Sequence, residues 1–534
     1  MKSFNTKFVA SVSFIALLLC CQGTQALGAK RINTPMMGWS SWNSFRININ
    51  ESLITSVADS MVAKGLFAAG YNYVNIDDGF FGGRDSDGRL FWNSNFPNGL
   101  APIVQHVHRL GMKAGIYSDA GDDLCSVTWD NNPSGRGVGL WQHENADFHQ
   151  FFDELGFDFI KVDFCGGLNI KKSDKELYTN IYRHLRDRKR QDIRFNICRW
   201  QFPGTWAVGL ADSWRIDGDI TPDYKKIDAL ILKNLYLGAY ASLGHYNDMD
   251  MLEMGRGMNV DEEKTHFGMW CIMSSPLMIG CDVRSISDST LDLLLNKEVI
   301  ALNQDPLGLQ AQVVRQTDDV IVLAKDLKKM YSNMRAVAVY NRSEKPQRVF
   351  CPFADFLLDG KVQVRDLWQH CSVPASAEGF YADVPRHGCA LFTLKGGKRL
   401  DATVYEAEQS FLNDYNPDSP QSAAVFAYKD ASNGHVVKSL GGNASNWCRF
   451  PAIHVAHAGD YVLRLSGFND EAATLNLSLN KSISELQIAK QSKYAPFEKE
   501  IKVTLKKGDN ILVILATHGK SPDVDKIDIS PLYH

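Results

Sequence analysis

The sequence predicts an α/β protein: a (β/α)8 TIM barrel, then an antiparallel β-sandwich domain, then a second, C-terminal β-sandwich of the jelly-roll type. Between residues 27 and 306, short apolar runs alternate with amphipathic helical segments, which is the pattern of parallel strands joined by crossover helices. No GxGxxG motif follows the first strand, so an open doubly wound sheet is the less favoured alternative. Beyond residue 307 the helical pattern stops and alternating, strand-like runs replace it.

The length and charge of the chain bound its domain organisation and its partners. At 534 residues the chain is long enough for about three domains. Changes in sequence pattern place the barrel at 27–306, the first β-domain at 307–397 and the second at 400–534. A formal net charge of −4 at pH 7 gives no electrostatic reason to expect a nucleic acid or an anionic membrane as a partner. The sequence carries no signal for an oligomeric state.

The first 26 residues have the pattern of a signal peptide. Lys2 and Lys7 precede an apolar stretch over 8–19, and a small-residue site ends at Ala26, where cleavage is expected. The mature protein is therefore expected to be exported: periplasmic, cell-surface or secreted. Cys20 and Cys21 loosely resemble a bacterial lipoprotein box, so lipid anchoring is the less favoured alternative. No later stretch is long and apolar enough to span a bilayer.

The run at 157–165 is the strongest strand signal, because it is apolar, β-branched and aromatic, and two glycines follow it. Lys161 and Asp163 stand two positions apart in this run, so both side chains leave the same face of the strand. The first strand is expected near Met36. The other strand-like runs lie at 73–78, 113–119, 194–198, 213–217, 245–250 and 276–282, with helical candidates at 51–65, 99–111, 145–155, 174–188, 225–238 and 263–274.

Nearly every predicted strand ends in polar or aromatic side chains, which a barrel brings to one mouth. Carboxylates without His or Cys ligands suit hydroxyl recognition and acid/base chemistry better than a transition metal, and tryptophan rings offer apolar faces to sugars. The pattern therefore predicts a carbohydrate pocket. Asp119, Asp217 and Asp282 are instead expected to form turns or cap helices. The strand-end residues are Trp39, Trp42, Asp77, Asp78, Tyr117, Asp119, Lys161, Asp163, Arg199, Arg215, Asp217, Asp219, Asp248 and Asp250.

Short motifs follow one another over residues 33–310: MGWSSW at 37–42, IDDG at 76–79, GIYSD at 115–119, KVDFC at 161–165, WR at 214–215 with DI at 219–220, NDMDML at 247–252, and MSSPLMIGCD at 273–282. In this order they resemble the motifs of glycoside hydrolase family 27. That family comprises chiefly retaining α-galactosidases, with α-N-acetylgalactosaminidases and the rarer isomalto-dextranases and β-L-arabinopyranosidases.

The resemblance implies a role for each matching residue. Asp163 takes the position of the nucleophile and Asp219 that of the acid/base. Lys161 would keep Asp163 ionised, whereas Asp219 needs surroundings that keep it protonated until glycosylation. The resemblance also implies a Cys125–Cys165 disulfide and no cofactor for catalysis. The substrate-binding positions that it implies are Trp42, Asp77, Asp78, Tyr117, Lys161, Arg199, Arg215 and Asp250.

Arg199 departs from the family pattern, because α-galactosidases commonly have Glu there, facing the 2-position of the sugar. Arg199 would stand near Arg215, so we expect Asp212 or Asp217 to compensate its charge, or Arg199 to point away from the sugar. Arg199 and Phe202 would make a bulky wall at the 2-position. This wall predicts a preference for α-galactosides over α-N-acetylgalactosaminides.

The region 307–397 resembles the C-terminal antiparallel β-domain of the family, and Cys351, Cys371 and Cys389 could provide one disulfide there. The region 400–534 resembles carbohydrate-binding modules of families 35 and 6. In those β-sandwiches an opening Glu-x-Glu and a closing Asp commonly hold calcium, so Glu406, Glu408 and Asp525 are predicted to bind a structural calcium ion. The alternative is a structural sandwich with solvated acids.

The sequence thus predicts an exported, retaining exo-α-galactosidase that acts on galactosylated oligo- or polysaccharides. Another family 27 specificity is the alternative within this class: isomalto-dextranase, β-L-arabinopyranosidase or α-N-acetylgalactosaminidase. The pair Asp77 and Asp78 favours a galactose pocket over the arabinopyranoside alternative. A non-catalytic carbohydrate-binding protein is the alternative of another class, and the presence of both Asp163 and Asp219 argues against it.

Overall fold

The computed structural model describes residues 33–519 and 521–532. The predicted signal peptide at 1–26, with Cys20 and Cys21, lies outside the described residues. None of the helices in the described part combines the length and the apolar character that a membrane-spanning helix requires.

The predicted barrel is confirmed as a ring of eight parallel strands. From β2 to β7 each strand pairs with the strand before it in sequence, and β8 pairs with β1. A bridge between Leu252 and Ile279 joins the segment after β7 to β8, with Leu252 N donating to Met278 O at 2.7 Å. The strands are β1 (Met37–Ser40), β2 (Tyr73–Asn75), β3 (Lys113–Asp119), β4 (Phe159–Asp163), β5 (Arg194–Ile197), β6 (Ser213–Arg215), β7 (Tyr246–Asp248) and β8 (Leu277–Ile279).

Several strands end earlier than their apolar runs predict, because side chains at the barrel mouth capture backbone N–H groups. After β2, Asp77 N donates to Ser41 Oγ at 3.0 Å, and Asp78 N donates to Asp77 Oδ1 at 3.0 Å. After β7, Asp250 N donates to Asp248 Oδ1 at 2.8 Å. The residues at the mouth therefore lie on short loops that bend away from the ladder.

The helices form where an apolar face and capping residues coincide. The helix Asp174–Arg186 starts with a capping box between Ser173 and Glu176 and buries Leu177, Tyr178, Ile181 and Leu185 against the sheet. The principal helices are Glu51–Ala63, Ala101–Arg109, Glu144–Phe148 continuing as a π-helix over His149–Glu154, Asp174–Arg186, Tyr224–Asn234, Val260–Ile272, Asp288–Leu294 and Lys297–Asn303, and the shorter ones are Trp42–Phe45, Leu66–Ala69 and Cys125–Trp129.

The first β-domain is antiparallel, as predicted, and the disulfide that Cys351, Cys371 and Cys389 could have provided is not formed. Cys351 lies in the core of this domain, whereas Cys389 faces the barrel, with its Sγ 3.7 Å from Met269 Sδ, and Cys371 is exposed. The three thiols are free because they lie in different environments. Six strands form one sheet and two form another: Gln312–Gln316, Val320–Asp326, Met334–Asn341, Cys389–Arg399, Leu358–Asp366 and Cys371–Val373, then Gln347–Pro352 with Gly379–Val384.

The C-terminal module is a second antiparallel sandwich with its own apolar core, which includes Leu465, Leu475, Ile514 and Ile527. Its first sheet holds Val404–Glu406, Ala424–Ala427, His435–Lys438, Asp523–Pro531, Gly459–Asn469 and Ala495–Leu505. Its second holds Phe411–Leu412, Cys448–Arg449, Leu512–Gly519, Ala473–Leu479 and Ser482–Ile488, and Ile453–Val455 pairs with Gly508–Asn510.

Candidate active site

Asp163, the last residue of β4, lies buried among three polar side chains. Tyr117 is the register partner of Lys161 on β3, and its hydroxyl donates to Asp163 Oδ2 at 3.0 Å. Lys161 Nζ lies 3.7 Å from Asp163 Oδ1 and 3.1 Å from Asp77 Oδ2. Among the described residues, Asp163 Oδ1 has no hydrogen-bond partner. Asp163 is therefore a charge-paired carboxylate with one oxygen available to attack an electrophile.

Burial raises the pKa of Asp163 to about 6, although the ammonium of Lys161 opposes this shift. The neighbouring carboxylate of Asp77 raises it further. Because a pKa of about 6 is still below neutrality, most of the Asp163 carboxyl is ionised at pH 7.

A second group of charges surrounds Arg215, which is buried at the end of β6. Its Nη2 lies 3.1 Å from Asp219 Oδ1 and 2.6 Å from Asp250 Oδ2. The Asp250 side chain is only 5% exposed, and it also accepts a hydrogen bond from Ile220 N, whereas the Asp219 side chain is 63% exposed. Asp250 therefore fixes the guanidinium and the Asp219 loop, while Asp219 faces the open mouth.

The pKa of Asp219 is lowered, which is the opposite of the direction expected for a resident acid. Burial alone would raise it, but the charges of Arg215 and Lys161 outweigh that effect. A sugar bound at the mouth would cover the exposed part of Asp219 and remove water from it, which favours the protonated form.

Asp77, Asp78 and Trp42 lie around these two groups. Asp77 holds Lys161, while the buried Asp78 accepts hydrogen bonds from Gly79 N at 2.6 Å and Ser126 N at 3.4 Å. Burial raises the pKa of Asp78 to about 7. Trp42 packs against an apolar cluster inside the barrel, which consists of Met36, Tyr73, Phe159, Met251 and Met278.

A small cavity of about 50 Å³ inside the barrel touches both charge groups, since Asp77, Lys161, Arg215 and Asp250 all line it. It is far smaller than the ~300–1,000 Å³ typical of ligand clefts. A sugar would therefore lie above this cavity, at the open mouth.

Comparison with known proteins identifies the class to which this geometry belongs. The family model described as "Alpha galactosidase A" matches residues 34–305, and the one described as "Alpha galactosidase C-terminal beta sandwich domain" matches residues 317–394. The chain belongs to glycoside hydrolase family 27. Neither family model extends into the C-terminal module.

Named relatives agree with this membership. "Alpha-galactosidase 2" of Arabidopsis thaliana is 39% identical over 403 residues, which cover 73% of this chain and 98% of the relative. An α-galactosidase of Cyamopsis tetragonoloba is 38% identical over 368 residues, 68% of this chain and 86% of the relative. The crystal structure of α-galactosidase I from Mortierella vinacea has a TM-score of 0.64 and 29% identity, and the match covers 70% of this chain and 99% of that one.

The disulfide that the family resemblance implied is present between Cys125 and Cys165. Asp119, predicted to form a turn, holds the same loops: it accepts hydrogen bonds from Gly121 N at 2.7 Å and Cys165 N at 2.7 Å. One carboxylate oxygen of Asp119 and the sulfurs of Cys125 and Cys165 lie within 4.8 Å of one another, a spacing that could suit a metal ion. Because the two sulfurs are bonded to each other, this group offers no thiolates to a metal.

Arg199 lies outside the charge groups around Asp163 and Arg215. Its Nε lies 3.1 Å from Asp174 Oδ2 and its Nη2 lies 3.6 Å from Asp418 Oδ2 of the C-terminal module. The sequence offered Asp212 or Asp217 as the carboxylate that compensates the charge of Arg199, but each pairs with another cation. Asp212 Oδ1 lies 3.5 Å from Arg194 Nε, and Asp217 Oδ2 lies 3.0 Å from Lys226 Nζ. The third expectation, that Arg199 points elsewhere, agrees with these contacts.

The predicted bulky wall at the sugar's 2-position is wrong for Phe202. This ring is fully buried and stacks on Tyr415 of the C-terminal module at 5.3 Å, with Tyr240 at 4.8 Å. Phe202 thus belongs to an interdomain core, and the steric argument against N-acetyl groups loses its basis.

Two residues near Asp163 were missed from the sequence. The buried thiol of Cys198 lies 3.7 Å from Arg215 Nη1 and lowers the pKa of Asp163. The hydroxyl of Tyr178 lies 3.1 Å from Val162 O and 3.2 Å from Cys198 O, so it links the ends of β4 and β5. Tyr178 sits on the apolar face of its helix, where the pattern could not distinguish it from an ordinary core residue.

The three predicted calcium ligands of the C-terminal module lie in one region. Ser432 connects two of them, because its Oγ donates to Glu406 Oε1 at 2.7 Å and its N donates to Asp525 Oδ1 at 3.0 Å. Glu406 Oε2 and both oxygens of Glu408 are buried without hydrogen-bond partners among the described residues. Burial raises the pKa of Glu406 to about 7, of Glu408 to about 9 and of Asp525 to about 6.

Proposed function

We propose that this chain is a retaining exo-α-galactosidase with Asp163 as nucleophile and Asp219 as acid/base. The observation that carries the proposal is the buried Oδ1 of Asp163, which has no hydrogen-bond partner among the described residues and lies 3.7 Å from Lys161 Nζ. A structural carboxylate at this depth would normally have its oxygens satisfied. The family membership and the α-galactosidase activity of the named relatives support the same conclusion.

The reaction proceeds in two displacements at the anomeric carbon. In the first, an Asp163 oxygen bonds to this carbon as the bond to the leaving oxygen breaks, and Asp219 gives its proton to that oxygen. In the second, Asp219 takes a proton from water, the water oxygen bonds to the anomeric carbon, and the bond to Asp163 breaks. Two inversions give net retention.

The residues around the two carboxylates bind and orient the sugar. Lys161 and Asp77 form a charge pair at 3.1 Å whose remaining hydrogen-bonding capacity suits sugar hydroxyls, and Tyr117 holds Asp163 in position. Arg215, fixed by Asp250, places Asp219 on the side of the leaving group. Trp42 supplies an apolar face for the C–H surface of the ring.

We also propose that the protein is exported after cleavage near Ala26. The basic start, the apolar stretch and the small-residue site support a signal peptide, and a disulfide between Cys125 and Cys165 suits an oxidising compartment. The galactose would then be removed from oligo- or polysaccharides outside the cytoplasm.

For the C-terminal module we propose a structural calcium ion held by Glu406, Glu408 and Asp525. The partnerless buried oxygens of Glu406 and Glu408 are costly unless these groups are protonated or a cation neutralises them, and hard oxygen donors suit calcium. Among the described residues, the one group of three Asp, Glu, His or Cys side chains with ligand atoms within 4.8 Å of one another is Asp119, Cys125 and Cys165. The three module carboxylates are therefore farther apart than this. The ion would therefore have to draw the three module carboxylates closer together.

A panel of aryl glycosides tests the assigned activity. We expect hydrolysis of the α-galactoside with α-galactose as the first product, observed by proton NMR before mutarotation. Preferred hydrolysis of the β-L-arabinopyranoside, the α-N-acetylgalactosaminide or an isomaltoside would assign one of the other family activities. No turnover of any substrate would favour the non-catalytic alternative.

A further inference from the structure

Trp129 stands apart from the other tryptophans of the chain. All eleven lie in the described residues, and only Trp129 is exposed, at 70%. An exposed tryptophan leaves a large apolar surface in water and forgoes the stabilisation that burial would give, so its position needs a functional or structural reason.

The helix that carries Trp129 starts at the catalytic centre. Cys125, its first residue, is disulfide-bonded to Cys165, and its Sγ lies 3.3 Å from Asp163 Oδ2. Four residues of helix advance the chain by only ~6 Å. Trp129 therefore lies about one helical turn from the disulfide that holds the nucleophile loop.

The other end of the same helix is tied to Trp42. Asp130, which follows Trp129, lies 2.7 Å from Arg46 Nε, and the Arg46 guanidinium lies 4.9 Å above the Trp42 ring. Asp130 N and Asn132 N both donate to Ser126 O at 3.0 Å. Trp129 is thus exposed on a well-bonded loop rather than on a frayed end.

A second exposed apolar side chain lies on the neighbouring strand-end loop, which follows β4. Leu168 is 66% exposed and lies three residues after Cys165, the other partner of the disulfide. The disulfide therefore joins two loops that each present one apolar side chain to solvent at the mouth.

We infer that Trp129, with Leu168 beside the same disulfide, forms a platform for the leaving-group sugar of the substrate. This inference rests on the proposed function, because a terminal galactose bound at Asp163 places the rest of the saccharide at the rim of the barrel. An indole face matches the apolar C–H face of a pyranose. The occupant is therefore the sugar residue linked to the departing galactose, rather than the galactose itself.

The test compares two substrates that differ only in the leaving group: an oligosaccharide with a terminal α-linked galactose, and α-galactosyl fluoride. Fluoride has no ring to stack, so it reports the chemistry at Asp163 alone. For Trp129→Ala we expect kcat/KM to fall by about 3- to 10-fold on the oligosaccharide and to be unchanged on the fluoride. Trp129→Phe should keep most of the wild-type value on both substrates.

The matched control is Ile483→Ala, which removes another exposed apolar side chain, 71% exposed, in the C-terminal module. It should leave both substrates unaffected. An unchanged kcat/KM of Trp129→Ala on the oligosaccharide, or an equal loss on both substrates, would overturn the platform. If the wild-type protein failed to hydrolyse the fluoride, the proposed function itself would be wrong.

Discussion

At the scale of single residues, the two proposed catalytic carboxylates differ in exposure and in charge environment. Asp163 is buried with its pKa raised to about 6, whereas the more exposed Asp219 has a lowered pKa because Arg215 and Lys161 stabilise its ionised form. The buried group can attack once it is ionised. The exposed group can change protonation when a substrate covers it.

Removing either carboxylate should abolish most hydrolysis without unfolding the protein. We expect Asp163→Asn to lose nearly all turnover, and Asp219→Asn to lose about 10²–10⁴-fold, the usual contribution of acid/base assistance. Azide should restore turnover of Asp219→Asn on substrates with good leaving groups. The control is Asp217→Asn, which removes a carboxylate paired with Lys226. Near-native activity of Asp163→Asn would contradict the nucleophile assignment.

The pH profile should reflect the ionisation of Asp163. Its carboxyl attacks only when ionised, so kcat/KM should rise with pH through an apparent pKa of about 6. Since Lys161 lowers the pKa of Asp163, Lys161→Met should move this limb to higher pH as well as reduce the rate. An acid limb near pH 4 in the wild-type protein, with no shift in the variant, would show that another group controls it.

At the scale of elements, the loops at the mouth are held by cross-links between neighbouring strand ends. The disulfide joins the loop after β3 to the loop after β4, and the Tyr178 hydroxyl joins the ends of β4 and β5. Short loops tied in this way keep Asp163 fixed relative to Tyr117. Order at the mouth thus comes from these links as well as from the sheet.

Loss of the disulfide should lower the stability of the fold. The bond closes a loop of sequence separation 40, so replacing Cys125 and Cys165 by Ala should reduce the free energy of unfolding by about 2–4 kcal/mol. Denaturant unfolding measures this change. The control is Cys371→Ala, which removes an exposed, free thiol and should have little effect. Equal stability of the double variant and the wild type would contradict a stabilising role.

At the scale of the whole molecule, the C-terminal module is joined to the barrel beside its mouth. Tyr415 stacks on Phe202, Thr205 Oγ1 donates to Asn413 O at 2.8 Å, and Asp418 lies 3.6 Å from Arg199. Aromatic packing and charge both contribute to this contact. The module therefore supports the loop that follows β5, whatever its affinity for sugars.

The proposed calcium ion should raise the thermal stability of the full chain, because an ion that binds only the folded state stabilises it by mass action. We expect a chelator to reduce Tm and added calcium to restore it, while hydrolysis of a small galactoside well below Tm persists. Glu406→Gln with Asp525→Asn should remove the response to the chelator. Identical melting curves of the wild-type protein with and without chelator would exclude the ion.

The sequence by itself determined the barrel and most side chains of its mouth. Strand and helix periods are local, and a parallel barrel brings every strand's carboxyl end to the same rim, so Asp77, Asp163 and Arg215 could be placed together before any coordinates. Only the tertiary structure decided the place of Arg199, which Asp174 and the distant Asp418 draw away, and of Phe202, which Tyr415 covers. It also decided the direction of the pKa of Asp219, because that depends on how deeply each carboxylate is buried and which charges pack against it. Contacts between residues far apart in sequence do not produce a periodic sequence pattern, so they could not be predicted from it.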